Sequence, residues 1–186
     1  MNDRPVIQAR YSDAAISVDD FDHHEWNHTQ SIEIARLWSG AQAPHSRHAE
    51  ARILWSRESL LVRFVCNQTE PLVVSTVPQL EQKTIGLWER DVCEIFLAPN
   101  PNQPNHYFEF EAAPTGEWVD LAIHLKPTGR ETDYEFRSGM TTATRLAANR
   151  LMIGIRIPWT SLIPKPQKGE KWRVNLFRCI GFGNER

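Results

Sequence analysis

Val92-Cys93-Glu94-Ile95-Phe96-Leu97 is followed by the turn Asn100-Pro101-Asn102-Gln103-Pro104-Asn105 and then by His106-Tyr107-Phe108-Glu109-Phe110-Glu111-Ala112. Successive side chains of a strand point to opposite faces. Cys93, Ile95 and Leu97 therefore share one face, and Val92, Glu94 and Phe96 the other. Beyond the turn, Phe108 and Phe110 alternate with Tyr107, Glu109 and Glu111. Two alternating runs joined by turn residues predict a β-hairpin with one buried face.

The same pattern extends in both directions. Residues 60–66 place Leu60, Val62, Phe64 and Cys66 on one face and join residues 51–55 through Ser56-Arg57-Glu58-Ser59. Pro114-Thr115-Gly116 turns the chain into residues 117–125, where Val119, Leu121 and Ile123 share a face. Residues 141–146 and 151–157 predict another hairpin, and residues 172–179 a final strand. Long helical periodicity is absent; short helical turns are expected after Asp19 and near Trp159. Many short strands with frequent turns predict an all-β fold, a two-sheet antiparallel β-sandwich of immunoglobulin-like architecture. The 186 residues are read as one domain spanning 1–186. If Cys93, Ile95, Leu97, Phe108, Phe110, Leu151, Ile153, Ile155 and Ile157 point inward, then Glu94, Tyr107, Glu109, Glu111, Arg156 and Asn175 point outward.

Composition narrows the partners. Lys plus Arg number 21 against 23 Asp plus Glu, a net charge of −2 that gives no reason to expect nucleic acid or an anionic membrane. No apolar run approaches the ~20 residues that span a bilayer. The amino-terminal residues have no signal-peptide character. That suggests a cytoplasmic protein, or an extracellular or periplasmic one if a leader precedes this chain. Cys66, Cys93 and Cys179 match no zinc or CxxC spacing, and the first two read as core thiols. The seven tryptophans offer flat apolar faces for stacking.

The stretch Leu87-Trp88-Glu89-Arg90-Asp91-Val92-Cys93-Glu94-Ile95-Phe96-Leu97-Ala98-Pro99 resembles the family 9 carbohydrate-binding modules, within the wider DOMON-like group of sandwiches. Ser17-Val18-Asp19-Asp20-Phe21-Asp22 with Trp26 resembles that family's opening segment. Tyr107 to Glu111 with Pro114-Thr115-Gly116 and Asp120 resembles its central hairpin. Ile155-Arg156-Ile157-Pro158-Trp159, Leu162, Gly169 and residues 172–178 resemble its closing block. The resemblance implies non-catalytic binding of a mono- or oligosaccharide, in support of polysaccharide breakdown. By motif, the stacking indole falls on Trp88, the sugar-gripping carboxylate on Glu94 and the amide on Asn175. Arg178, Tyr107 and Glu109 complete the candidate ligand set. Family members usually continue into a further aromatic segment and strand. This chain ends at Arg186, so either a final segment is missing, or Phe182, Trp118 or Trp38 supplies the second aromatic wall, or the site no longer binds sugar.

Other readings compete. Glu109 and Glu111 sit i, i+2 on one strand, only about 6.5–7 Å apart, and point the same way. They do not flank a bond as glycosidase carboxylates do. Residues 19–28 are rich in oxygen and imidazole donors, and a structural calcium there is compatible with the resemblance, although a solvated acidic turn explains them too. A haem-binding sandwich would need Met152 opposed by His106 or His124. A protein-interaction or structural sandwich would use the same polar face. Neither a cofactor nor an oligomeric state follows from the sequence.

Overall fold

The computed structural model describes residues 5–181. Among them, one sheet holds β1 (Arg10–Tyr11), β2 (Ile32–Ile34), β3 (Ala49–Trp55), β4 (Ser59–Asn67), β9 (Thr141–Ala147) and β10 (Arg150–Pro158). Its order is β1-β3-β4-β10-β9, with β2 also pairing with β3. The other sheet holds β5 (Val92–Ala98), β6 (His106–Ala112), β7 (Trp118–Lys126), β8 (Gly129–Asp133) and β11 (Arg173–Cys179), in the order β11-β5-β6-β7-β8. All pairings are antiparallel except β1 with β3.

The sandwich expected from sequence is present, and each strand read from alternation exists. Short β1 and β2 and the polar β8 carry too few apolar residues to announce themselves. A single-turn 3-10 segment follows the acidic stretch at His24–His28, whereas residues near Trp159 form a bend instead of a helical turn. Further 3-10 turns lie at His45–Arg47 and Leu87–Glu89.

The core fills the space between the sheets. Leu60, Val62, Phe64 and Cys66 meet Cys93, Ile95, Leu97, Phe108 and Phe110, with Leu151, Ile153, Ile155 and Ile157. Each fully buried large side chain contributes about 1.5–3 kcal/mol over an exposed one. Turns are held by local chemistry. The Asn100 side chain accepts the Asn102 amide at 2.9 Å, an Asx-turn. Gly116 adopts φ 90°, which closes the turn between β6 and β7.

Candidate functional site

The outer face of the second sheet collects the chemistry. Phe177 of β11 lies opposite Glu94 of β5, which lies opposite Glu111 of β6. One step along, Asn175 lies opposite Phe96, which lies opposite Glu109. Directly opposed residues share a face, so these two rows form one surface. The Phe96 ring meets Phe177 edge-on at 5.4 Å between centroids and Tyr107 at 6.1 Å. Trp88, Glu94, Phe96, Tyr107, Asn175 and Phe177 all line the same broad depression.

Trp88 reaches this surface from the segment before β5. Gly86 takes the left-handed conformation, φ 82°, and opens the 3-10 turn that carries the indole. Leu87 is buried in a small second core with Val92, Ala113, Val119, Leu121 and Ile123, against which Trp88, Tyr107 and Cys179 also pack. Trp88 is therefore part-buried, less exposed than its polar sequence neighbours suggest. Polar anchors fix the segment. The Lys83 ammonium lies 2.6 Å from the Asp120 carboxylate and donates to the backbone carbonyls of Asp120 and Phe136, each at 2.6 Å. Ser138 donates its amide and hydroxyl to the same carboxylate at 2.6 and 2.7 Å. The Thr84 amide donates to the Trp118 carbonyl at 2.9 Å, and buried Glu117 accepts from Thr84 and from the Gln79 amide, each at 3.3 Å.

The polar groups differ in their engagement. Glu94 is buried and accepts from the Cys179 thiol at 3.3 Å. Glu111 is 0% exposed although it points away from the main core. Glu109 accepts from the Arg130 guanidinium of β8 at 2.7 Å. The outward carboxylates are thus enclosed by neighbours, not simply solvated. Burial pushes the Tyr107 phenol above its ordinary range. Asn175 is exposed, and its carbonyl oxygen accepts the Leu176 amide at 3.1 Å.

Trp88, Glu94, Tyr107 and Asn175 line one depression, Glu109 shares their face of the sheet beside Arg130, and Arg178 lines the depression from the other face of β11. Arg178 lies opposite Cys93 and turns toward the core, where it donates to Gln68 and approaches the Cys93 sulfur at 3.9 Å. A strand cannot place residues 175 and 178 on one face, so Asn175 and Arg178 point to opposite sides of β11. Arg156 points outward, but from the other sheet, where it reaches Glu58 at 3.5 Å. Of the candidate second walls, Trp118 packs against the main core. Trp38 is 81% exposed on a turn beyond β2 and lines the same depression. Phe182 lies outside the described residues. Sequence reasoning passed over Phe96 and Phe177 as site residues, although each is in phase with Glu94 or Asn175 on its own strand.

The acidic turn is otherwise engaged. Asp22 pairs with Arg145 at 2.5 Å, Asp19 accepts from Ser17, and Glu25 pairs with Arg10 at 3.1 Å. Among the described residues no three His, Cys, Asp or Glu side chains gather as a metal site. His106 and His124 meet cross-strand on the second sheet at 5.6 Å, while Met152 lies on the outside of the first. A shared axial haem pair is therefore not formed by these residues. No helix among the described residues is long and apolar enough to cross a membrane.

Comparisons with known proteins agree with this architecture. A family 9 carbohydrate-binding module from Caldicellulosiruptor kristjanssonii, solved with glucose, is 18% identical with TM-score 0.60 over 96% of this chain and 80% of its own. The same organism's module with cellotriose gives 17% and 0.57 over the same shares. A putative carbohydrate-binding protein from Bacteroides uniformis gives 13% and 0.65 over 92% of this chain and 82% of its own. At these identities the likeness concerns the fold. An "Extracellular protein" of Arthroderma benhamiae is 27% identical over 105 residues, half of this chain. The matched region spans 47% of that relative's length. The family model described as "Carbohydrate family 9 binding domain-like" matches residues 18–181, and the chain belongs to that family of non-catalytic binding domains.

Proposed function

We propose that the outer face of β5, β6 and β11 binds a neutral hexose or short oligosaccharide and releases it unchanged, in support of polysaccharide breakdown. The observation that carries this reading is the meeting of aromatic and hydroxyl-gripping groups in one depression: Trp88, Phe96 and Phe177 beside Glu94 and Asn175. An indole or phenyl ring takes the apolar C–H face of a pyranose. A carboxylate accepts from two hydroxyls, and an amide both donates and accepts. The sheet and the Lys83 and Glu117 anchors hold these groups in place, which limits the entropy lost on binding. The glucose and cellotriose held by the Caldicellulosiruptor module give the first ligands to try.

Titration calorimetry with glucose and cellotriose tests the proposal. Saturable binding is expected in the micromolar-to-millimolar range, and Trp88→Ala weakens it by about tenfold or more, roughly 1.4 kcal/mol. Absence of heat with both sugars at millimolar concentration, or undiminished affinity in the variant, would sink it.

A further inference from the structure

Two thiols meet at the centre of the sandwich, on the side of the second sheet away from the sugar-binding face. Cys66 of β4 and Cys93 of β5 are each 0% exposed, and their sulfurs lie 3.6 Å apart across the gap between the sheets. Neither is in a disulfide. The residues directly opposite them include Ala49 on β3 and Ala112 on β6, small side chains that leave the sulfurs room to approach.

Arg178 makes this pair unusual. Its guanidinium approaches the Cys93 sulfur at 3.9 Å and donates to the Gln68 amide oxygen, while its Nε has no hydrogen-bond partner among the described residues. No carboxylate forms an ion pair with it among the described residues. A guanidinium keeps its charge in protein interiors, and a charge in low dielectric favours a counter-charge nearby. The Asp91 and Glu70 carboxylates act on it from beyond ion-pair distance, and the two sulfurs are the groups beside it that can take negative charge. The hydrogen bond shared with Cys93 and the neighbouring guanidinium together hold the Cys66 thiol below its ordinary range, while burial pushes Cys93 up. With the sulfurs 3.6 Å apart, the more readily ionised Cys66 is placed to attack and Cys93 to resolve. Cys179 takes no part, since it lies on the opposite side of β11 beside Glu94.

We propose that Cys66 and Cys93 are an oxidisable pair that hydrogen peroxide closes into a disulfide joining the two sheets. The Cys66 thiolate attacks one peroxide oxygen; the O–O bond breaks, leaving a sulfenic acid on Cys66 and releasing hydroxide. Cys93 then attacks the Cys66 sulfur, the S–O bond breaks, and the departing hydroxide takes the Cys93 proton as water. The hydroxide of the first step takes up the proton that Cys66 gave up on ionising. Two thiols lose two electrons, and one peroxide becomes two waters. The sulfurs need to close from 3.6 Å to about 2.05 Å. The bond ties off residues 67–92, the segment that carries Trp88, and removes both thiols beside Arg178. Nothing in this step depends on sugar binding.

The folded full chain is treated with peroxide, quenched with catalase, and alkylated with iodoacetamide in guanidinium. Intact mass then counts the remaining thiols. Reduced protein takes three alkyl groups, and oxidised protein is expected to take one, with a peptide map linking Cys66 to Cys93. Cys66→Ser and Cys93→Ser should each retain both remaining thiols, while Cys179→Ser should lose both of its own. Three alkylated thiols after peroxide, or a linked peptide containing Cys179, overturns the proposal. The oxidation rate of the wild type against pH reads the part played by Arg178. Half-maximal rate is expected below the ordinary thiol value of about 8.5. A rate still climbing through that pH removes the guanidinium from the scheme. Arg178→Gln should slow oxidation about tenfold, with Arg178→Lys restoring most of it; if these variants do not fold, the pH profile decides.

Discussion

The two sheets share one alternating pattern and put their outer faces to different uses. On the first sheet, outward arginines fasten a strap of chain. Arg63 lies under the Trp26 ring at 5.1 Å and donates to the Phe21 carbonyl at 2.7 Å. Arg52 donates to the carbonyls of Trp26 and Thr29 at 2.7 and 3.2 Å, and Arg145 lies 5.0 Å from the Phe21 ring. Ile16 and Trp26 then close over Leu54 and Leu61. On the second sheet, the covering segment reaches Val119, Leu121 and Ile123 of β7 through Leu87, and leaves β11, β5 and β6 lining a depression. Guanidinium groups aimed at backbone carbonyls mark a surface satisfied by its own chain. Under the proposed function, the carboxylates and amide set among aromatic rings would take hydroxyls brought from outside.

Four variants would break or sharpen that contrast. The largest effect belongs to the strap: Trp26→Ala empties the site above Arg63 and should cost about 3–5 kcal/mol of stability by chemical denaturation. Sugar affinity of the folded fraction should be unchanged, and a matching loss of affinity would mean that the faces are not independent. Gly154→Ala comes next. A Cβ there would lie 2.3 Å from the Val18 carbonyl, so the strap must shift, at about 1–3 kcal/mol and a correspondingly lower Tm. Trp88→Phe, the milder partner of the alanine variant, should weaken sugar binding about threefold with little change in Tm, because a smaller ring still stacks. Equal losses in stability and affinity would instead assign Trp88 to packing.

The smallest effect is electrostatic. The Arg52 guanidinium bonded to Glu50, with help from Ser31 and Arg63, holds the Glu50 carboxyl below its usual 4.5. A depressed folded value gives stability that is present above the unfolded value and lost as pH falls through the folded one. Glu50→Gln should therefore be less stable than wild type at pH 7 by at most about 1 kcal/mol, given its partial exposure. The difference in denaturation midpoint should shrink as pH falls below 4.5 and vanish once pH is below the folded value. A gap that persists in acid would show that Glu50 acts through shape instead of charge.

Much of this was legible in the residues. Period-two alternation located the long strands, most of which put one face into the common core, while β9 was found through its hairpin with β10. Val119, Leu121 and Ile123 show the limit of that signal, since their apolar row faces away from the main core into the smaller one. Residues 10–11 and 32–34 are too short to alternate visibly, and their strands exist only because β3 offers an edge. At the candidate site, Trp88 and Glu94 came from motif likeness, and Asn175 from the same source. Phe96 and Phe177 were in phase with Glu94 and Asn175 on their own strands, but that the two rings meet needed the β11–β5 pairing, which no local pattern reveals. Arg178 takes the opposite face from Asn175 for a simpler reason: the count from 175 to 178 is odd. Burial of Glu94, Glu109 and Glu111 depends on chain arriving from residues far away in sequence, so alternation could give their direction but not their enclosure.

Lys83 gives the second sheet's covering segment a property of its own. Its ammonium occupies a nest of three oxygens, one carboxylate and two carbonyls, of the kind that elsewhere houses a dissolved ion. A positive charge attached through the polypeptide cannot be drawn out by a chelator or diluted away. Exhaustive dialysis against EDTA should therefore leave this fastening of the Trp88 segment unchanged. Neutral trimming at that one amine, as in Lys83→Met, should loosen it.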